Sequence, residues 1–275
     1  MANITFGQYY PSHSFVHKMD ARIKILGTIA YIVAVFLVSG SIENGYHFTG
    51  FLACLLFLLI ASTVAKIPFG RVLKSIKAVL FFVLLSALLQ IFFNKSGTLL
   101  WENGFITDAG LISAGFISSR ILLVVLGASI LTLTTSPVEI SDGLESLMKP
   151  LKLIKFPVHE FALIMSIALR FIPTLLLETE RIIKAQKARG ADFESGNIFK
   201  RAKALIPVLI PLLISSFRRA DELADAMDAR CYTGSKNRTK YKKLTLSYRD
   251  LIATILVAGL IAGVVILNGV WGVMV

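Results

Sequence analysis

Five predominantly apolar runs limit what this chain can fold into more than any other feature: roughly Ile25 to Ile42, Tyr46 to Ala65, Ala78 to Phe93, Leu111 to Leu133 and Leu251 to Val273. Each approaches the roughly 20 residues that cross a bilayer as a helix. In hydrocarbon a chain must satisfy its backbone internally, so runs of this length predict helices. The composition agrees, with 55% of 275 residues hydrophobic and a mean hydropathy of +0.73, too apolar for an ordinary soluble domain. The expected class is an all-α integral membrane protein. It divides into an N-terminal cytoplasmic segment (1–24), four spans (25–134), a polar helical domain (135–247) and a fifth span (248–275).

Charge orients the spans. The chain carries 29 Lys and Arg against 17 Asp and Glu, a net +12. Such an excess could suit nucleic acid, but no aromatic stacking platform accompanies it. With the N-terminus inside, the outer loops hold one basic residue, Lys95, while Lys18, Arg22, Lys24, Lys66, Arg71, Lys74 and Lys77 all lie inside. The positive-inside rule then predicts a cytoplasmic N-terminus and an external C-terminus. No basic start precedes an apolar core ahead of Lys18, so no cleaved signal peptide is expected. Cys54 in an apolar run and Cys231 in a basic one do not suggest a disulfide.

Two further apolar stretches, 161–177 and 204–217, lie within the charged domain. Two extra crossings would export Arg181, Lys184, Lys187, Arg189, Lys200, Arg201 and Lys203. Arg170, central in the first stretch, would add roughly 2.5–3.5 kcal/mol to its insertion. Both are therefore assigned to cytoplasmic or interfacial helices. Ser136-Pro137-Val138-Glu139 reads as a capping box opening a short helix with Ile140, Leu144, Leu147 and Met148 on one face. Pro150 ends it. Two long helices follow, Val158 to Arg189 and Ile198 to Arg230, with bends expected at Pro173, Pro207 and Pro211.

Both long helices end alike. AQKARGA at Ala185 returns 41 residues later as AMDARCY at Ala226. An arginine in a last helical turn complements the helix dipole, an ordinary role. Flanked by small residues, it also makes a thin tip whose guanidinium fork can meet a carboxylate bidentately in a groove. Two such tips point to a partner with two similar grooves. There is no GxxxxGK, HExxH or GxSxG, and His13, His17, His47 and His159 lack ligand spacing. No catalytic or metal-ligating residue is therefore assigned, and an intramembrane enzyme is disfavoured. A self-contained carrier or channel remains the alternative, resting on Gln90 and Arg120. Arg120 without an acidic partner is expected to bond helix carbonyls or snorkel. The run 235–249 should be attracted to anionic headgroups.

FGQYYPSHSFVHKMDARIKIL, the run from Ser136 to Gly190 and AMDARCYTG together resemble the transmembrane T-component of energy-coupling factor transporters, the family that includes Q-type subunits of cobalt uptake systems. The resemblance covers most of the chain. It implies a prokaryotic plasma-membrane subunit with a cytoplasmic domain of three coupling helices, the tips of two of which bind a pair of ABC-type ATPases, with ATP and Mg²⁺ held by those partners and no cofactor here. The S-component, a separate membrane protein, would capture a vitamin or metal ion for uptake. Carried over, Ala188, Arg189, Gly190, Ala229, Arg230 and Cys231 would contact the ATPases. Ile172, Leu175 and Leu176, with Leu209 and Leu213, are the residues expected to receive the S-component, although packing of these apolar middles on each other is the simpler alternative. Ala21 stands where the family has proline. Cys231 stands where it has glycine; because cysteine resists a left-handed backbone, the second tip is expected to end differently, at Gly234. The first tip is basic (Lys184, Lys187) and the second acid-flanked (Asp225, Asp228), which suggests two non-identical ATPases. Local pairing of Arg218 and Arg219 with Glu222 would give those acids a plainer role.

Overall fold

The computed structural model describes residues 9–12, 14–38, 40–41, 45–46, 48–94, 107–193, 197–234 and 247–273. Lys95, His13, His47 and the basic run from Ser235 to residue 246 lie outside them. Eight α-helices account for nearly all of the described chain, joined by one two-residue antiparallel ladder, Gly40–Ser41 with Gly45–Tyr46. The chain forms two units: residues 1–147 with 243–275, and residues 148–242.

The first unit holds α1 (Ala21–Leu37), α2 (Thr49–Val64), α3 (Phe69–Phe93), α4 (Asp108–Thr134), α5 (Pro137–Leu147) and α8 (Tyr248–Val273). Among the described residues, four helices are long and apolar enough to cross a membrane: Gly70–Phe93, Asp108–Thr134, Tyr248–Gly269 and, in the second unit, Val158–Ala188. Of the five runs read from the sequence, α2 is shorter than expected, while α1 is displaced, starting four residues earlier and ending at Leu37. At 17 and 16 residues they rise about 25 and 24 Å, less than a hydrocarbon core of about 30 Å. α3 is longer than expected, because Arg71, Lys74 and Lys77 extend the helix back to the stop at Pro68.

Helix ends in this unit are satisfied by groups beyond the helical residues themselves. Asp20 caps α1, its carboxylate accepting from the Arg22 amide at 2.9 Å. At the other end, the orphan carbonyl of Val38 accepts from the Arg120 guanidinium of α4 at 2.7 Å, and that of Leu37 accepts from the Asn268 amide of α8. Arg120 thus bonds a helix-end carbonyl, as its lack of an acidic partner suggested, and sits beside the rings of Phe116 and Phe36. The C-terminus of α4 follows the same rule, with Leu133 O taking the Tyr10 amide and Thr134 O the Lys24 ammonium. In an apolar surround each such partner replaces water that cannot reach.

Packing depends on small and polar residues. α3 and α4 meet through the Ser75 and Ser129 hydroxyls at 2.6 Å and through Asn94 donating to Ser113 at 3.0 Å. Gly127 of α4 admits the ring of Tyr31, since a Cβ there would stand 2.5 Å from the ring. The predicted capping box forms, Glu139 N donating to Ser136 Oγ and Ser136 N to the Glu139 carboxylate. α5 nevertheless buries Gly143 and Ser146 rather than its leucine face, and Leu144 stays exposed. Gly143 comes so close to Ala21 and Ile25 that a large side chain could not sit between the helices.

The second unit opens with a 3₁₀ turn (Lys149–Ile154) and consists of two 31-residue helices, α6 (Val158–Ala188) and α7 (Ile198–Asp228). Both run unbroken through Pro173 and through Pro207 and Pro211. They pack antiparallel: Arg219 of α7 pairs with Glu178 of α6 at 3.4 Å, whereas Gln186, two turns beyond Glu178, donates to the carbonyl of Pro207 at 3.4 Å. The second contact has a covalent cause. Pro211 has no amide hydrogen for the carbonyl four residues back, so Pro207 O is free for a side chain. Arg219 engages Glu178 across the helix pair.

Two arginine-tipped helix ends as the candidate functional site

Both long helices close on the same hydrogen-bond pattern. At the end of α6, Gly190 N donates to Lys187 O at 3.0 Å and Ala191 N to Gln186 O at 3.0 Å, with Gly190 at φ +86°. At the end of α7, Cys231 N donates to Asp228 O at 2.9 Å and Tyr232 N to Met227 O at 3.1 Å, with Cys231 at φ +55°. Each is a Schellman closure, paired 6→1 and 5→2 bonds around one left-handed residue. Arg189 and Arg230 hold the equivalent last position before that residue, so the sequence repeat is also a backbone repeat.

This overturns the expectation for Cys231. The second tip does not end differently at Gly234. Cys231 itself adopts the left-handed conformation, and Gly234, at φ +89°, makes a further turn beyond it. The cap bonds outweigh a conformational cost of about 1–2 kcal/mol for an L-residue.

All six predicted tip residues, Ala188, Arg189, Gly190, Ala229, Arg230 and Cys231, are exposed. No atom lies within 4 Å of a Cβ built on Gly190. Each tip is therefore a narrow, open helix end carrying one guanidinium, suited to bidentate bonding of a carboxylate or backbone carbonyls in a groove. The antiparallel pairing separates them. Arg189 lies one turn beyond Gln186, which touches Pro207, and from Pro207 to Arg230 α7 rises about 35 Å. The two tips accordingly face two distinct places.

The apolar middles remain largely uncovered. Mutual packing of α6 and α7 buries Val208, but Ile172, Leu176, Leu209 and Leu213 are 37%, 37%, 52% and 56% exposed, and Leu175 is half-buried. Ile164, Ile210, Ile214 and Phe217 extend this surface. Packing of the two helices on each other thus accounts for only part of it. Arg170 is exposed as well.

One polar site escaped the sequence reading. Ser247-Tyr248-Arg249-Asp250 is a capping box at the start of α8, Ser247 N donating to Asp250 Oδ2 at 2.8 Å. The motif was legible. That Asp250 Oδ1 also accepts the amide of Asp20, 230 residues away, at 2.9 Å was not.

Residues 12–241 match the family described as cobalt transport protein. Similar proteins include the energy-coupling factor transporter transmembrane protein EcfT of Clostridium kluyveri, 47% identical over 272 residues and covering 98% of each chain. That of Ruminiclostridium cellulolyticum is 50% identical over 254 residues, 92% of each chain. That of Bacillus subtilis is 42% identical over 266 residues, 95% of this chain and 98% of its own. With such identity sustained from end to end, the chain belongs to the cobalt transport protein family, as a transmembrane component of energy-coupling factor transporters.

Proposed function

We propose that this component transmits ATP-driven movement of two ABC-type ATPases, docked one on each arginine tip, to a membrane S-component that captures the solute. The duplicated cap carries the reading. Two like closures present Arg189 and Arg230 at equivalent positions, open to solvent and about 35 Å apart along α7, which suits a partner with two similar grooves. The chain has no phosphate-binding loop of its own, so ATP and Mg²⁺ stay with the ATPases. The uncovered apolar surface around Ile172, Leu175, Leu176, Leu209 and Leu213 suits the S-component.

In this reading α6 lies on the cytoplasmic side although its length would let it cross. Arg170 at its middle and the cluster Arg181, Lys184, Lys187 and Arg189 favour that placement. The unlike flanks of the tips, Lys184 and Lys187 against Asp225 and Asp228, favour two non-identical ATPases. Solutes are vitamins or metal ions, chosen by the S-component.

The test is co-purification on tagged chain. Arg189→Ala with Arg230→Ala should release both ATPases and abolish uptake while membrane insertion and S-component binding persist. Leu175→Glu with Leu213→Glu should do the reverse. ATPases that stay bound without either guanidinium would refute the docking, and a single ATPase polypeptide would refute non-identity. Uptake by this chain alone in vesicles would favour the carrier.

A further inference from the structure

The chain passes between its two units twice, leaving the first after α5 and returning into α8. Within the first unit, α5 and the start of α8 meet the same place, the first turn of α1. On the outgoing side, α5 presses Gly143 onto Ala21 and Ile25, a Cβ on Gly143 standing 3.1 Å from side-chain carbons of both. On the returning side, the Asp250 carboxylate accepts the Asp20 amide at 2.9 Å through one oxygen and the Ser247 amide at 2.8 Å through the other. One side chain therefore caps the N-termini of α1 and α8 at once.

The surroundings bury this meeting point inside the first unit. Asp250 is 3% exposed and Asp20 7%. Lys24, one turn along α1, is also buried, and its ammonium donates to the carbonyls of His17 at 3.1 Å and Thr134 at 3.2 Å. The N-terminal segment, α1, α4 and α8 are thus bonded together within two turns of α1. The bonds that are made favour one geometry, because each one lost leaves a desolvated group behind, as Asp20 Oδ2, buried without a hydrogen-bond partner, already is.

We propose that Asp250 is a positioning residue for transport: with Gly143 it fixes both chain passages to the base of α1, so that movement received by the Met148–Lys242 unit is resisted there instead of being dissipated at the joints. The inference rests on the transmission role proposed above. The residue touches neither solute nor nucleotide and acts through α1 and α8.

The test uses the assembled transporter reconstituted in vesicles, with solute uptake and ATP hydrolysis measured together. Asp250→Asn keeps the shape but turns one acceptor into a donor facing an amide. It should lower solute taken up per ATP hydrolysed by about tenfold, the scale of one buried hydrogen bond, with ATPases and S-component still co-purifying. Asp250→Glu, which keeps both acceptor oxygens, should recover part of the ratio. A merely structural role would lower the amount of complex and leave uptake per ATP unchanged, and that result overturns the proposal. If Asp250→Asn does not accumulate, Gly143→Ala, which loosens the other passage, decides: a reduced ratio supports the proposal and an unchanged one refutes it. Failure of the underlying reading looks different, since the unsubstituted complex would then lack ATPases altogether.

Discussion

Gly190→Ala and Cys231→Gly alter the same backbone position in two copies of one cap, and their effects should have opposite signs. Both positions are left-handed, at φ +86° and +55°, where an L-residue costs about 1–2 kcal/mol. Glycine escapes that cost but loses about 0.5–1 kcal/mol more backbone entropy on folding. The difference leaves glycine ahead by about 0.5–1 kcal/mol at either site, with no steric term at Gly190, whose surroundings are open. The bonds at stake are the amides of Ala191 and Tyr232, donating to Gln186 O and Met227 O. Since 1.4 kcal/mol is tenfold, hydrogen exchange at Ala191 should speed up about two- to fivefold in Gly190→Ala. At Tyr232 it should slow by about the same factor in Cys231→Gly. Exchange followed by mass spectrometry on the purified membrane protein reads both tips in one experiment. Shifts of the same sign, or none at either tip, would refute the shared closure and with it the structural argument for two equivalent docking tips.

Gly127→Ala should lower stability by about 1–3 kcal/mol, because the added methyl overlaps the buried Tyr31 ring, and Tyr31→Ala in the same chain should make it nearly harmless. Thermal melts in detergent report both. A double-mutant cycle on Glu178 and Arg219 should return only about 0.2–1 kcal/mol, since the two side chains remain 27% and 30% exposed. His17 donates through Nε2 to Tyr10 O at 2.9 Å and accepts at Nδ1 from Ser14 at 2.6 Å. Burial, ahead of an opposing bond to the Tyr10 carbonyl, holds its pKa below the usual 6.5. The unfolded chain therefore binds more protons just below that value, so stability present above pH 6.5 should fall as the pH drops through the folded pKa. His17→Gln should flatten that part of a pH–stability curve measured by denaturation.

Local features were readable from residue order alone. Apolar runs gave helices because hydrocarbon leaves the backbone no other partner. Ser136 and Glu139 announced α5, and the ends of α6 and α7 were placed within two residues of where they fall. The Arg189 and Arg230 tips were visible as a repeat, since a cap is made by residues within six positions of one another. Helix limits in the first unit were misjudged where they depend on neighbours: α1 stops at Leu37, where Asn268 takes the Leu37 carbonyl and Arg120 that of the C-cap Val38. The conformation of Cys231 was misjudged as well, because propensity weighs one residue while the cap weighs a set of bonds. What tertiary structure alone decided is long-range: the Asp20 amide on Asp250, Gln186 on the carbonyl freed by Pro211, and Gly143 against Ala21. Sequence spacing carries no record of such meetings, because they arise only when packing brings distant helices close enough for one side chain to satisfy another helix's backbone.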